Sequence, residues 1–274
     1  RGTKPIDIEG YSTDLFADAA IDFMRRHRER PFFAYVPFNA AHVPNPKNKA
    51  PGVPTIWQAP AKYFEAYGYP ADSTDPHEGY HAVMTALDDG IGRILRAIDR
   101  LGLQEDTIVI VASDNGASIR ESLVLETGTN APFRGGRTET YEGGIRTACI
   151  VRWPKQLKAG SVCREPVANI DLLPMILRAA DVPLPRTIQL DGRDPTATLA
   201  GKDRSPHEHL FFEFRKWSGA RSGRWKIVRS RPDREFELYD LAADWGETRN
   251  LSADKPAIAK RLVDAFEKWR GQFE

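Results

Sequence analysis

The chain has 274 residues, 41% of them hydrophobic, which supplies enough apolar side chains for one large globular core or two smaller ones. Its 39 Lys and Arg nearly balance 38 Asp and Glu, a formal net charge of +1, so no global field recruits nucleic acid or an anionic membrane. No apolar run reaches the roughly 18 residues that would span a bilayer, no signal peptide is read, and two cysteines set no disulfide framework.

Ser12 or Thr13 is placed to cap a helix running to about Arg28, with Leu15, Phe16, Ala19, Ile21 and Phe23 on its apolar side. Pro31 to Pro37 reads as a buried strand, and the proline-rich stretch Pro44 to Pro60 as an irregular surface loop beside a site. Asp75 and Pro76 form an N-cap and a first helical residue. From there Tyr80, Val83, Met84, Leu87, Ile91, Ile94, Leu95 and Ile98 make a core-facing helical stripe. Thr107 to Ala112 is a continuous apolar run rich in β-branched residues, the pattern of a strand buried on both faces of a parallel sheet. Thr147 to Arg152 is a second buried strand, with Cys149 as a small inert thiol inside it. Asn169 to Ala180 is a short helix, and Pro183 to Pro206 a polar connector that marks the domain boundary. Beyond it, His209 to Trp217 and Arg224 to Arg229 read as antiparallel strands and Pro256 to Phe273 as an amphipathic helix. The alternation of helix and strand gives an α/β class with a mostly parallel sheet flanked by helices.

The Thr107 strand ends in Ser113, Asp114, Asn115 and Gly116. A carboxylate and a carboxamide at the carboxyl edge of an α/β sheet offer hard oxygen donors suited to Ca²⁺ or Mg²⁺. The competing reading is that Asn-Gly only turns the chain. His77-Glu-Gly-Tyr-His81 fits H-E-x-x-H, the zinc-protease pattern, but it sits in the first turn after Pro76, contains a glycine and lacks a third ligand, so a chance match is expected. His207 and His209 read as a surface pair.

The block Asn130-Ala-Pro-Phe-Arg-Gly-Gly-Arg137, followed by Thr140-Tyr-Glu-Gly-Gly-Ile-Arg146 and the strand to Arg152, resembles the sulfatase family, in the same order after Asp-Asn-Gly. Phe38-Asn-Ala-Ala-His42-Val-Pro44 resembles the family's histidine loop, Tyr80 to Leu103 its long helix, and Gly223 to Val228, Glu237 to Leu241 and Trp245 to Leu251 its C-terminal subdomain. The resemblance implies an alkaline-phosphatase-like sheet, incomplete at its N-terminus, over 1–200, and a small α+β subdomain with antiparallel strands over 201–274. It implies Asp114 and Asn115 as ligands of Ca²⁺ or Mg²⁺, His42 as sulfate contact and proton donor to the leaving alcohol, and Arg137 as the sulfate-holding cation where the family usually has lysine. Arg134, Glu142 and Arg146 are expected to brace the loop.

The family's nucleophile is a formylglycine made from Cys or Ser in Cys/Ser-x-Pro-x-Arg. Cys149, Cys163 and Ser205 lack that spacing, so the motif and two further aspartate ligands are expected upstream. The whole enzyme would cleave sulfate monoesters of a small molecule or glycan, in a periplasmic or secreted setting, and this chain alone is expected to be inactive. The alternatives are a catalytically inactive sulfatase-like anion-binding protein and a related phosphoester or phosphonate hydrolase. Oligomeric state and substrate identity are not legible.

Overall fold

The computed structural model describes residues 2–42, 57–119, 127–185 and 187–273. The chain divides into two compact units, Arg1–Thr107 with Arg120–Thr127, and Ile108–Ile119 with Gly128–Glu274.

The first unit is helical. α1 (Ser12–His27) begins after Tyr11 without a side-chain cap, and its buried positions are Thr13, Ala17, Ala20 and Met24 rather than the larger residues expected. Small side chains win that face because α1 packs on α3 (Pro76–Arg100) at close range, with Thr13 against Gly90. Phe16 is left exposed. Arg93 of α3 ties the pair by donating to Asp14 at 3.0 Å and by pairing with Asp18. α3 starts as expected: Asp75 Oδ1 accepts from the His77 and Glu78 amides at 2.7 and 3.4 Å, with Pro76 first in the helix. Val83 and Ile98 of its stripe are buried, Met84 is exposed, and much of the deepest packing comes from Gly79, Ala82, Ala86 and Ala97. α2 (Ala61–Glu65) supplies Tyr63 and Phe64 to a cluster with Ala82 and Ala86.

Pro31 to Pro37 is not a strand: no ladder partner lies beside it among the described residues, and Phe33 and Tyr35 are exposed. A strand needs a neighbour to take its amides and carbonyls. Most of Pro44 to Pro60 lies outside the described residues.

The second unit holds two sheets. β1 (Val109–Ala112) and β2 (Cys149–Arg152) pair antiparallel, Val109 opposite Arg152 and Ala112 opposite Cys149, so the mostly parallel sheet expected is not formed among the described residues. Neither strand is buried on both faces; Cys149 and Ile150 are exposed. Between them lies the short helix α4 (Glu142–Ile145). A 3₁₀ turn at Asn169–Asp171 runs into α5 (Leu172–Ala179), and α6 (Thr196–Leu199) interrupts the connector.

The other sheet is a meander of β3 (Leu210–Phe214), β4 (Trp217–Ser222), β5 (Trp225–Arg229) and β6 (Glu237–Asp240), all antiparallel neighbours. The strand expected over His209 to Trp217 ends at Phe214, because Arg215 takes the left-handed conformation (φ 56°) and reverses the chain into β4, pairing Phe214 with Trp217. Alternation assigns the two faces. Ala220, Ile227 and Leu238 point to α7 (Pro256–Arg270) and pack on Leu262 and Phe266. Lys226, Val228 and Tyr239 lie on the opposite side, where Val228 and Tyr239 meet Tyr141 and Leu241.

Candidate functional site

The carboxyl end of β1 runs into Asp114 and Asn115. Asp114 is exposed, and its Oδ1 accepts the Asn115 amide at 2.9 Å; the Ser113 hydroxyl donates to Asn115 O at 3.0 Å. Among the described residues, nothing else pairs with the Asp114 carboxylate or with the Asn115 carboxamide. Two segments are then stitched onto this strand end. The Asn130 side chain accepts the Ala117 amide and donates to Ala117 O, both at 2.8 Å, and donates to Gly135 O at 3.1 Å. Arg137 N–H donates to the same Ala117 O at 3.1 Å, and Gly116 N–H to Gly144 O at 3.0 Å. Backbone meets backbone so closely that glycine is required: a Cβ at Gly116 would lie 1.8 Å from Gly143 O, and one at Gly143 would lie 2.3 Å from Gly135 O.

Arg137 therefore has its backbone fixed to the segment that follows Asn115, while its guanidinium is exposed and unpaired among the described residues. Five N–H donors in a planar fork are left for an anion. His42 belongs to the first unit, exposed, its amide donating to Asn39 O at 2.8 Å. Asp114, Asn115 and Arg137 all belong to the second unit.

The turn Thr140–Arg146 rests on the face of the β3–β6 sheet that α7 does not cover. Thr140 Oγ1 donates to Ser218 O at 3.0 Å, and the Tyr141 and Tyr239 hydroxyls both donate to Glu237 Oε2, at 2.6 and 2.7 Å. Burial and the Glu237 carboxylate push both phenols well above their ordinary range. Arg134 spans the loop and the sheet: it donates to the Tyr239 hydroxyl at 2.9 Å and to Glu247 O at 3.0 Å, and stacks 4.1 Å from the Tyr141 ring centroid. Arg146 lies over the Phe133 and Trp245 rings. Arg134 and Arg146 brace the loop as expected, but through the sheet and the aromatic rings rather than through hydrogen bonds internal to the loop.

Beneath the turn is a charged cluster that sequence reasoning missed. Lys226 is fully buried on β5, donates to Glu142 Oε1 at 2.9 Å and lies 2.9 Å from Glu247 Oε1. Glu142 also faces Arg221 at 3.4 Å and Arg146 at 3.6 Å. Burial opposes ionisation of Glu142, but Lys226, Arg221 and Arg146 outweigh it and hold the carboxyl below its ordinary range. For Glu247 burial prevails over Lys226 and the Glu142 amide, and its carboxyl is raised. The available signal was Lys226 itself, one charge inside the otherwise apolar Trp225–Val228.

His81 stacks on Tyr69 and lies tilted 5.6 Å from the Tyr67 ring, and its Nδ1 lies 3.2 Å from the Tyr69 hydroxyl. His207 is not a surface residue: its Nε2 lies 2.6 Å from Asp171 Oδ1, and both side chains are buried. Sequence reading also passed over Ser230-Arg-Pro-Asp-Arg234, which satisfies Ser-x-Pro-x-Arg. It forms the turn between β5 and β6, closed by an Arg231–Asp233 ion pair, with residues 231–234 exposed.

Residues 2–182 match the sulfatase family, and residues 137–272 match the N-sulphoglucosamine sulphohydrolase C-terminal family. Among curated relatives, the steryl-sulfatase of Mus musculus is 35% identical over 96% of this chain and 45% of its own length, and a sulfatase of Formosa agariphila is 29% identical over 98% and 52%. The crystal structure of Ps i-CgsB in complex with k-i-k-neocarrahexaose superposes with a TM-score of 0.82 at 24% identity, over 97% of this chain and 56% of that one. The chain spans about half the length of the relatives it matches. With more than half of its residues inside the first match, and with the Asp-Asn-Gly strand end and its stitched glycine loops in that span, the chain belongs to the sulfatase family.

Proposed function

We propose that this chain carries the anion-binding part of a hydrolase of sulfate monoesters. The observation that supports it most is the stitched platform in which Asn130 and Ala117 join the Asp114–Asn115 strand end to the loop bearing the unpaired Arg137 guanidinium. Arg137 would bind the sulfate oxygens through charge-assisted hydrogen bonds and follow the charge that develops on them. His42 would hold a proton at its ring and pass it to the departing alkoxide oxygen.

Asp114 and Asn115 present only oxygen donors, with the carboxylate exposed, which fits a hard divalent cation such as Ca²⁺ or Mg²⁺ in kind and supplies part of the six to eight oxygens Ca²⁺ takes. Bound there, such an ion would supply Lewis-acid stabilisation of the sulfate oxygens. The nucleophile in this proposal is a formylglycine encoded before Arg1. The exposed turn at Ser230 is poorly suited to the role, because catalytic nucleophiles work where water is excluded and geometry is fixed. The sulfated group would belong to a small molecule or a glycan.

The test is to sequence the DNA upstream of the codon for Arg1, express the chain with and without that region, and measure sulfate release from a chromogenic aryl sulfate beside phosphate and phosphonate esters. Sulfate release by the extended protein alone is expected. Turnover by the 274-residue chain would overturn the placement of the nucleophile. Preference for phosphate or phosphonate esters would overturn the substrate class, and an upstream region without Cys/Ser-x-Pro-x-Arg would favour the inactive anion binder.

A further inference from the structure

The loop that carries Arg137 is fastened on both sides by a residue more than one hundred positions later in the chain. Glu247 O accepts from Arg134 at 3.0 Å, three residues before Arg137, and Glu247 Oε2 accepts the Glu142 amide at 2.6 Å, five residues after it. Gly143 N–H closes the loop on itself by donating to Arg134 O at 2.7 Å. Glu247 is fully buried and sits at φ 51°, a left-handed conformation that side chains other than glycine, asparagine or aspartate rarely adopt.

Such a conformation persists only where its surroundings over-determine it. Here Asp244 does so by accepting the Thr248 and Arg249 amides at 2.8 and 2.9 Å, and Lys226 does so from β5 by lying 2.9 Å from Glu247 Oε1. A residue that merely ended a loop would need neither a buried carboxylate nor an amide bond to another element.

We propose that Glu247 is a positioning residue for Arg137, clamping the anion loop to the β3–β6 sheet so that the guanidinium is presented in one orientation. The inference rests on the reading of Arg137 as the sulfate-holding cation. It assigns the C-terminal sheet a part in substrate affinity: Asp244 sets the backbone of the clamp, Lys226 orients its carboxylate, and Arg134 and Glu142 carry the constraint to either side of Arg137.

The experiment uses the 274-residue chain with inorganic sulfate as probe. Sulfate dissociation constants and the hydrogen-exchange rate of the Glu142 amide are measured for Glu247→Ala and Glu247→Gln, each with Arg137 intact and with Arg137→Ala. Glu247→Ala is expected to speed exchange at Glu142 and weaken sulfate about tenfold when Arg137 is present, and to weaken it no further when Arg137 is gone, the signature of two residues acting as one unit. Glu247→Gln retains an acceptor for the Glu142 amide and should recover most of both losses. Equal loss of sulfate affinity in both backgrounds would mean general loosening and overturn the positioning role. Arg137-dependent binding that ignores Glu247→Ala would remove the clamp alone, whereas absent binding, or binding indifferent to Arg137→Ala, would remove the functional reading on which it rests.

Discussion

The two sheets of the second unit use similar residues and meet opposite surroundings. Ile227 and Val228 of β5 are fully buried, while Ile150 of β2 is 67% exposed in a run of equally apolar character. The β3–β6 meander closes through short turns, covers one face with α7 and the other with the Thr140–Arg146 turn, and so satisfies itself. β1 and β2 have only each other, and their outer edges carry no further strand among the described residues. An apolar β-branched run states a demand for cover; whether the cover is present depends on the rest of the fold.

The buried meander is most vulnerable at Lys226. Lys226→Met leaves two buried carboxylates facing each other without their shared cation, and removal of one partner from a buried ion pair costs about 3 to 5 kcal/mol. Urea unfolding of the chain should show a loss of that order. On the other face of the same sheet, Leu262→Ala empties a fully buried site between α7 and Ile227 and should cost about 2 to 5 kcal/mol. A loss near zero at both positions would mean that the meander is not the stable half of the unit.

A smaller effect, readable by its sign, separates the two carboxylates on Lys226. Glu142 has a folded-state pKa below its ordinary 4.5, so its stabilisation is present above that value and disappears as pH falls through the lowered one. Glu247 is raised, so its contribution is full below 4.5 and is lost as pH rises through the folded value. Denaturation midpoints measured from acid to neutral pH should therefore diverge. Glu142→Gln becomes progressively worse than the native chain with rising pH, and Glu247→Gln improves relative to it. Parallel curves would contradict the opposed directions.

What was legible in the sequence follows the same division. Asp75 and Pro76 announce the start of α3 through chemistry local to one turn, and α7 declares itself by helical spacing. The Arg215–Lys216 turn was hidden because neither residue favours a left-handed backbone, and only the sheet's pairing forces one. The buried face of α1 was misread because close helix packing selects Ala17 and Ala20 over larger neighbours. At the candidate site the strand end and glycine loops were legible as motifs, since their spacing is local. Lys226 and Glu247 were not, because a lysine on a strand and a glutamate in a polar tail carry no sign that they meet. Cys149 was placed in a buried strand on its apolar context and is exposed for the same reason as Ile150.

The smallest effect sharpens the contrast at β2. Ile150 pairs with Val111 across the ladder, yet most of its side chain faces solvent, so its removal opens no cavity. Ile150→Thr keeps the β-branch that suits a strand and deletes only apolar surface that is already wet. Exposed substitutions of this kind stay within about 0.5 kcal/mol, and the urea midpoint of the 274-residue chain should barely move. The same change at Ile227 buries a hydroxyl against Leu262 and Phe266 without a partner, and the cost there should reach about 1 to 3 kcal/mol. The pair of variants thus measures cover directly. If Ile150→Thr proves as costly as Ile227→Thr in the isolated chain, β1 and β2 are packed against something in solution, and their exposure in the 274-residue chain must be given up.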